Sequence, residues 1–474
     1  MSSLDRRSFL RRAAVYGGGA VLAPSLTGLA ACADQARVAG LTVRRVGPGD
    51  GGYGALLASP DAPELALPRG FRTAKLSQAG DVMSDGHPTP NAFDGMAAFP
   101  LPNGNIRLIR NHEIRDSAAT ARPFGNATMA YDQKAGGGNT SLEVCVRPDG
   151  TRELVRHYAS LTGTHVNCAG GPTPWGGGSW ITCEETTEGV AQGRGAEHGY
   201  VFEIPVSAED EVLPVPFKAM GRFVHEALAV DALTGIVYLT EDISFRAGDP
   251  SRPGAGFYRY VPTVPGNLVA GGRLQMLALK DRPRYDSTTG QRPGRPLPVT
   301  WVDIDDPDPA NAAADPSAVF RQGLAQGGTI FQRLEGCWYG DGSVFFNATS
   351  GGDAGRGQVW QYRPRARSGG QLILVFESPG EAVLDSPDNI VVSPRGGLVL
   401  CEDGGGVQFL RGLTRRGEIF DFGQNLANED EFAGACFSPD GETLFVNIQG
   451  STSSTGASKG MTFAIWGPWE DGAL

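Results

Sequence analysis

The 21 residues His165–Glu185 concentrate side chains that bind metal ions. They hold a cysteine at 168, a second at 183, and the paired carboxylates Glu184 and Glu185, with a Gly-Gly-Pro turn and two tryptophans between. Acidic clusters recur along the chain: Asn111-His112-Glu113, His225-Glu226, Glu241-Asp242, Glu335, the stretch 385–389 with Asp388, Glu402-Asp403 and Glu431. Many carboxylate oxygens suit hard cations such as calcium. A lone thiolate among carboxylates points instead to a transition metal, because sulfur is a soft ligand. Cys168 and the acids therefore read as a mixed metal site. Zinc fits less well, since neither C-x-x-C nor H-E-x-x-H occurs. The competing reading of any one acidic strand end is a turn cap in solvent.

Other chemistries find little support. There is no G-x-S-x-G elbow and no phosphate-binding G-x-x-x-x-G-K-[ST] loop. Gly136-Gly137-Gly138 reads as an ordinary glycine turn. The formal charge of -11 and the lack of a basic stripe set the chain apart from nucleic-acid binders.

These residues need a scaffold, and the sequence predicts an all-β one. Apolar residues come in runs of about four to six, bounded by Gly, Pro, Asp and Asn. At most a turn or two of helix is expected, in Leu324–Leu334 and Glu429–Ala433. Six segments share one form, a turn ending in Gly, a short strand and then an acidic or amide cluster: 104–113, 178–185, 235–242, 342–349, 397–403 and 441–449. Most follow another strand-like segment, as in His165–Pro172, Phe223–Asp231, Phe331–Gly336, Leu384–Pro394 and Phe432–Asp440. A recurring strand-turn-strand unit implies a β-propeller of six irregular blades with loop insertions. Asp249–Gly256 and Asp303–Ser317 are the expected insertions. A propeller brings equivalent positions of successive blades to one axis, so distant carboxylates become one cluster. Closure leaves no sheet edge in need of a partner, and a monomer is expected. Cys145, Cys183 and Cys401 read as small core residues.

The first 36 residues are read as a targeting segment and lead-in, and residues 37–474 as one propeller domain. Asp5–Leu10 resembles a twin-arginine export signal. Leu29-Ala30-Ala31-Cys32 resembles a lipobox. Either cleavage near Ala31 yields a soluble periplasmic or extracellular protein, or Cys32 is lipidated and anchors it. No stretch is long and apolar enough to span a bilayer.

The stretches NCAGGPTPWG…WITCEE, RNHE at Arg110–Glu113, YDQKAGGGNTSL at Tyr131–Leu142, GRFVHEALAVD with YLTED, DSPDNIVVSPRGGLVLCEDG and FAGACFSPDGETLFVNIQ together resemble the PhoX-type alkaline phosphatases. The resemblance runs in order through nearly all of the chain after the signal. It implies a six-bladed propeller that holds two ferric and three calcium ions and hydrolyses phosphate esters outside the cytoplasm. Carried over, Cys168 is the thiolate ligand, and Glu184 or Glu185, Glu226, Glu241, Glu335, Glu402 and Asp403 supply carboxylates. Glu113, Asp242 and Asp388 complete the candidate metal set. Arg333 and Glu335 are the candidate catalytic residues, with Arg333 holding a phosphate oxygen in bidentate fashion; a structural arginine is the alternative. The implied partners are a small phosphate ester and the twin-arginine export machinery. A calcium-binding propeller without catalysis, or a phosphodiesterase on the same fold, are the competing functions.

Overall fold

Six innermost strands close a ring. They are Phe93–Pro100, Asn167–Thr173, His225–Val230, Leu334–Gly340, Pro387–Val392 and Phe432–Phe437, and each packs against the next until the sixth meets the first. The computed structural model describes residues 51–365 and 369–474. The twin-arginine stretch, Cys32 and the candidate strand 41–45 lie outside the described residues. Strand makes up 45% and helix 5%, so the fold is an all-β propeller.

Each innermost strand begins an antiparallel blade that steps outward in chain order. Blade 1 runs through Ile106–His112, Gly137–Val146 and Arg152–Thr164; blade 2 has only Ser179–Glu184 and Val201–Pro205 outside its first strand. Blade 6 closes the ring in a different way. Its fourth strand is Arg72–Gln78, from the start of the described chain, paired with Met461–Trp466 near the end. This joins the two ends of the ring through a hydrogen-bonded ladder. A further strand, Leu297–Asp303, pairs with the outer strands of both blade 3 and blade 4 and ties them into one nine-stranded sheet.

The core is divided among the blade junctions. Six apolar clusters fill the six junctions, as with Ile181, Cys183 and Val201 of blade 2 against Leu228, Val237 and Leu239 of blade 3. The reason is the period of two: blade strands bury both faces, one against each neighbour, and so read as near-continuous apolar runs. Trp338, on the innermost strand of blade 4, touches four of these clusters and so lies at the axis. Cys183 and Cys401 are core residues, whereas Cys145 is half-buried.

The single α-helix among the described residues is Ala318–Ala325, just upstream of the stretch expected to be helical. Val319 and Phe320 bury into the junction of blades 2 and 3 beside Met276 and Ile304, and this packing decides where the helix forms. Glu429–Ala433 is not helical. Its end is taken into the blade 6 ladder by the pairing of Phe432 with Ile448.

Candidate metal centre

The six blades open onto the axis with one repeated backbone device. The residue just after each second strand donates its N–H to the carbonyl of the residue just before the innermost strand. The pairs are Glu113 to Ala92, Glu185 to Val166, Asp242 to Val224, Thr349 to Arg333, Asp403 to Ser386 and Gln449 to Glu431, at 2.8–3.1 Å. Ala92, Val166, Arg333 and Ser386 are left-handed, with φ between 47° and 54°. Such a conformation costs about 1–3 kcal/mol at a non-glycine residue, and most at a β-branched one such as Val166. Strain of this kind persists where the surroundings demand it.

A β-bulge follows at once in every blade. Phe93 pairs with His112 but Met96 with Arg110, so three steps on the inner strand match two on its partner. The same count holds for 167–170, 225–228, 334–337, 387–390 and 433–436. The bulged residue is Asp94, Cys168, Glu226, Glu335 or Asp388 in the first five blades. A bulge re-aims a side chain, and these five converge at the axis. The next residue is Gly95, Ala169, Ala227, Gly336 or Asn389. Small side chains are needed there: a Cβ on Gly95 would lie 2.5 Å from Ala169 Cα, and one on Gly336 would lie 2.6 Å from the Asp388 carbonyl oxygen. The axis below leaves a cavity of only about 20 Å³, lined in part by Trp338. In blade 6 the bulge falls one residue later, on Gly434, and its acid is Glu431 instead.

The second strands supply an outer set by simple alternation. Of each acidic pair one side chain faces the axis and the other faces the blade junction. Glu113, Glu185 and Asp403 join the axial groups. Glu184, Glu241 and Glu402 point the opposite way, and none of them is in the four axial groups. Glu184 accepts from the backbone N–H of His165, Gly199 and Tyr200 and from His198 Nδ1 at 2.7 Å. Glu241 accepts from Gly256 N–H and the Tyr258 hydroxyl. Glu402 takes a two-pronged contact from Arg411, 2.7 and 3.2 Å long.

Four overlapping groups result, each with its ligand atoms within 4.8 Å of one another: Asp94, Glu113 and Cys168; Cys168, Glu185 and Glu226; Glu226, Glu335 and Asp388; Asp388, Asp403 and Glu431. The shared members Cys168, Glu226 and Asp388 link them into a continuous arc. Asp94 was absent from the sequence-based set, and Glu431 was a candidate there without a ligand role. The signal for Asp94 was an acid followed by a small residue at a strand start, as in Glu226-Ala227 and Glu335-Gly336.

This arc is electrostatically unfinished. Burial is the largest effect on the acids that shift. Together with the neighbouring acids it holds Asp94, Glu185, Glu226, Glu335 and Glu431 well above the usual carboxylate range. Asp388 is pushed up to about 8 and Asp403 to about 6. Burial and then the same acids raise the Cys168 thiol well above its ordinary value. Glu226 Oε2 and Glu431 Oε2 are buried without a partner among the described residues. Uncompensated buried carboxylates are costly, and bound cations reverse that cost. The donor set therefore fits metal ions.

Two arginines stand over the arc. Arg333 meets Asp242 through Nε at 2.9 Å and Nη2 at 2.8 Å, and Glu335 through Nη2 at 2.7 Å. Arg115 Nη2 contacts both Glu113 and Glu185.

Comparison with known proteins accounts for this architecture. The family model described as alkaline phosphatase PhoX matches residues 51–451. The chain belongs to the PhoX alkaline phosphatase family. Members are phosphoric ester hydrolases, and so is this chain. A structure of Pseudomonas fluorescens PhoX in complex with vanadate, a transition state analogue, has the same fold: TM-score 0.65 at 19% identity, covering 91% of this chain and 99% of that one. A 6-phosphogluconolactonase candidate from Bacteroides uniformis matches at TM-score 0.35 and 11% identity, over 72% of this chain and 86% of that one, too remote to bear on function. No curated protein sequence matches the chain.

Proposed function

We propose that this PhoX family member is an exported phosphatase that cleaves small phosphate monoesters with iron and calcium held in the axial arc. The observation that carries the reading is Cys168, the one thiol in a buried arc of carboxylates. Calcium alone has no use for a thiolate, whereas ferric iron accepts one together with carboxylates. Cys168 with Glu185, Glu226, Asp94 and Glu113 would hold the transition metal, and the oxygen-only groups around Glu335, Asp388, Asp403 and Glu431 would hold calcium. Cations there supply Lewis acidity to the phosphoryl oxygens and neutralise charge that develops during transfer.

The chain's own residues orient the ester. Arg333 is fixed by its left-handed backbone and by Asp242 and Glu335, so its guanidinium is held at the mouth of the arc. A fork held in place in this way loses little entropy when it takes phosphate oxygens. The axial cavity lined by Trp338 and the bulge residues, about 20 Å³, is too small to take an ester. In this reading the twin-arginine segment carries the folded, loaded protein to the periplasm, where it acts as a monomer, either soluble or anchored through Cys32.

Elemental analysis of protein exported by its own signal, together with nitrophenol release, tests the reading. Iron and calcium are expected with hydrolysis of nitrophenyl phosphate and much slower cleavage of bis-nitrophenyl phosphate. Protein that contains calcium but no iron and releases no nitrophenol would overturn it. Faster cleavage of the diester would reassign it as a phosphodiesterase.

A further inference from the structure

Arg115 occupies a position that mirrors Arg333. Arg333 lies two residues before the axial acid Glu335, and Arg115 two residues after the axial acid Glu113. The two guanidiniums are linked through one pair of carboxylates: Arg115 contacts Glu185, Glu185 lies against Asp242, and Asp242 holds Arg333. A chain of alternating charge, Glu113, Arg115, Glu185, Asp242, Arg333, Glu335, thus crosses the mouth of the arc. Both arginines also act electrostatically on Asp403, offsetting part of the rise that burial gives its carboxyl.

The backbone around Arg115 is pinned from two sides. Its N–H donates to the Thr452 carbonyl at 2.8 Å, and the Asp116 carboxylate accepts from Ser453 Oγ at 2.9 Å. The Asp116 carbonyl accepts from Arg194 Nη2, also at 2.9 Å. The side chain is nevertheless 46% exposed, compared with 38% for Arg333. Only Nη2 of Arg115 is engaged, which leaves Nε and Nη1 without an acceptor among the described residues. A half-exposed charged fork with donors to spare, held against two acids of the arc, matches the oxygens of a phosphate group.

We infer that Arg115 is a second phosphate-positioning residue, gripping the doubly charged phosphate of a monoester together with Arg333. This rests on the phosphatase reading above. Two guanidiniums favour a dianion over the single charge of a diester, so Arg115 also contributes to the choice of monoesters.

The test compares metal-loaded wild-type protein with Arg115→Gln and Arg115→Lys. Inorganic phosphate binding is measured by calorimetry, metal content by elemental analysis, and KM and kcat with nitrophenyl phosphate. Arg115→Gln is expected to bind phosphate at least tenfold more weakly and to raise KM by a similar factor, with full metal content. Arg115→Lys should recover part of both losses. Phosphate affinity and KM within twofold of wild type in a fully loaded Arg115→Gln would overturn the inference and leave the phosphatase reading intact. Loss of metal in both variants would overturn it in favour of support for the metal ligands. Wild-type protein that neither binds phosphate nor hydrolyses the ester would overturn the phosphatase reading itself.

Discussion

The Cys168 thiol lies 3.1 Å from Glu226 Oε1, across the junction of blades 2 and 3. Each residue is the bulged position of its own innermost strand, so the contact depends on the packing of these two blades. Cys168 belongs to two of the four axial groups and is the single soft donor in either. Cys168→Ser keeps the volume and removes that donor. Iron content is expected to be lost while calcium is retained, and hydrolysis to fall by more than about 100-fold, since even residues behind the ligands cost about 10–100-fold. Unchanged iron in the purified variant would refute the role given to the thiol.

Glu184 and Glu185 are neighbours in sequence with opposite environments. Glu185→Gln should lower metal content with little change in the melting temperature of metal-free protein. Glu184→Gln should retain metal but lose on the order of 3 kcal/mol, because it breaks a buried charge network with His198. Elemental analysis and denaturant unfolding separate the two. Loss of metal from Glu184→Gln alone would reverse the assignment.

Metal-free protein should be sensitive to rising pH. Asp388 is held at about 8, above the value of roughly 4 for an unfolded aspartate. A raised carboxyl contributes its stability fully below the unfolded value and loses it as pH rises through the folded one. Asp94, Glu226, Glu335 and Glu431 shift the same way. Between pH 5 and 8 the melting temperature of chelator-treated protein should therefore fall by on the order of 5 °C more than that of loaded protein. Equal slopes for the two forms would count against cation compensation in the arc.

His198 should extend the loss of stability to higher pH. Burial alone would lower it, but Glu184 and Asp132, bonded to its two ring nitrogens, raise it to about 9. As a base raised above its unfolded value of about 6.5, it contributes stability that is complete below that pH and lost as pH rises through 9. His198→Gln should be less stable than wild type at pH 6.5, and the gap should narrow by pH 9.5. Melting curves at the two pH values check this. A gap that widens would mean that His198 is neutral in the folded protein.

The sequence by itself determined the all-β class, the six repeated strand units and most of the acids, because alternation, glycine turns and recurring acid clusters are local patterns. It also singled out Cys168, whose chemistry stands apart wherever the chain places it. It was silent on which member of each acidic pair faces the axis. That choice follows from strand register, and a shift of one residue exchanges the two faces. Register here is set by the clamp between neighbouring strands and by the bulge after it, neither of which is written in any single segment. The same device hid Asp94, an isolated acid that becomes a member of the arc only when the bulge turns it inward beside Cys168. The link between Arg115 and Arg333 is likewise tertiary, since residues 218 positions apart in the chain are joined through Glu185 and Asp242 only because the blades surround one axis.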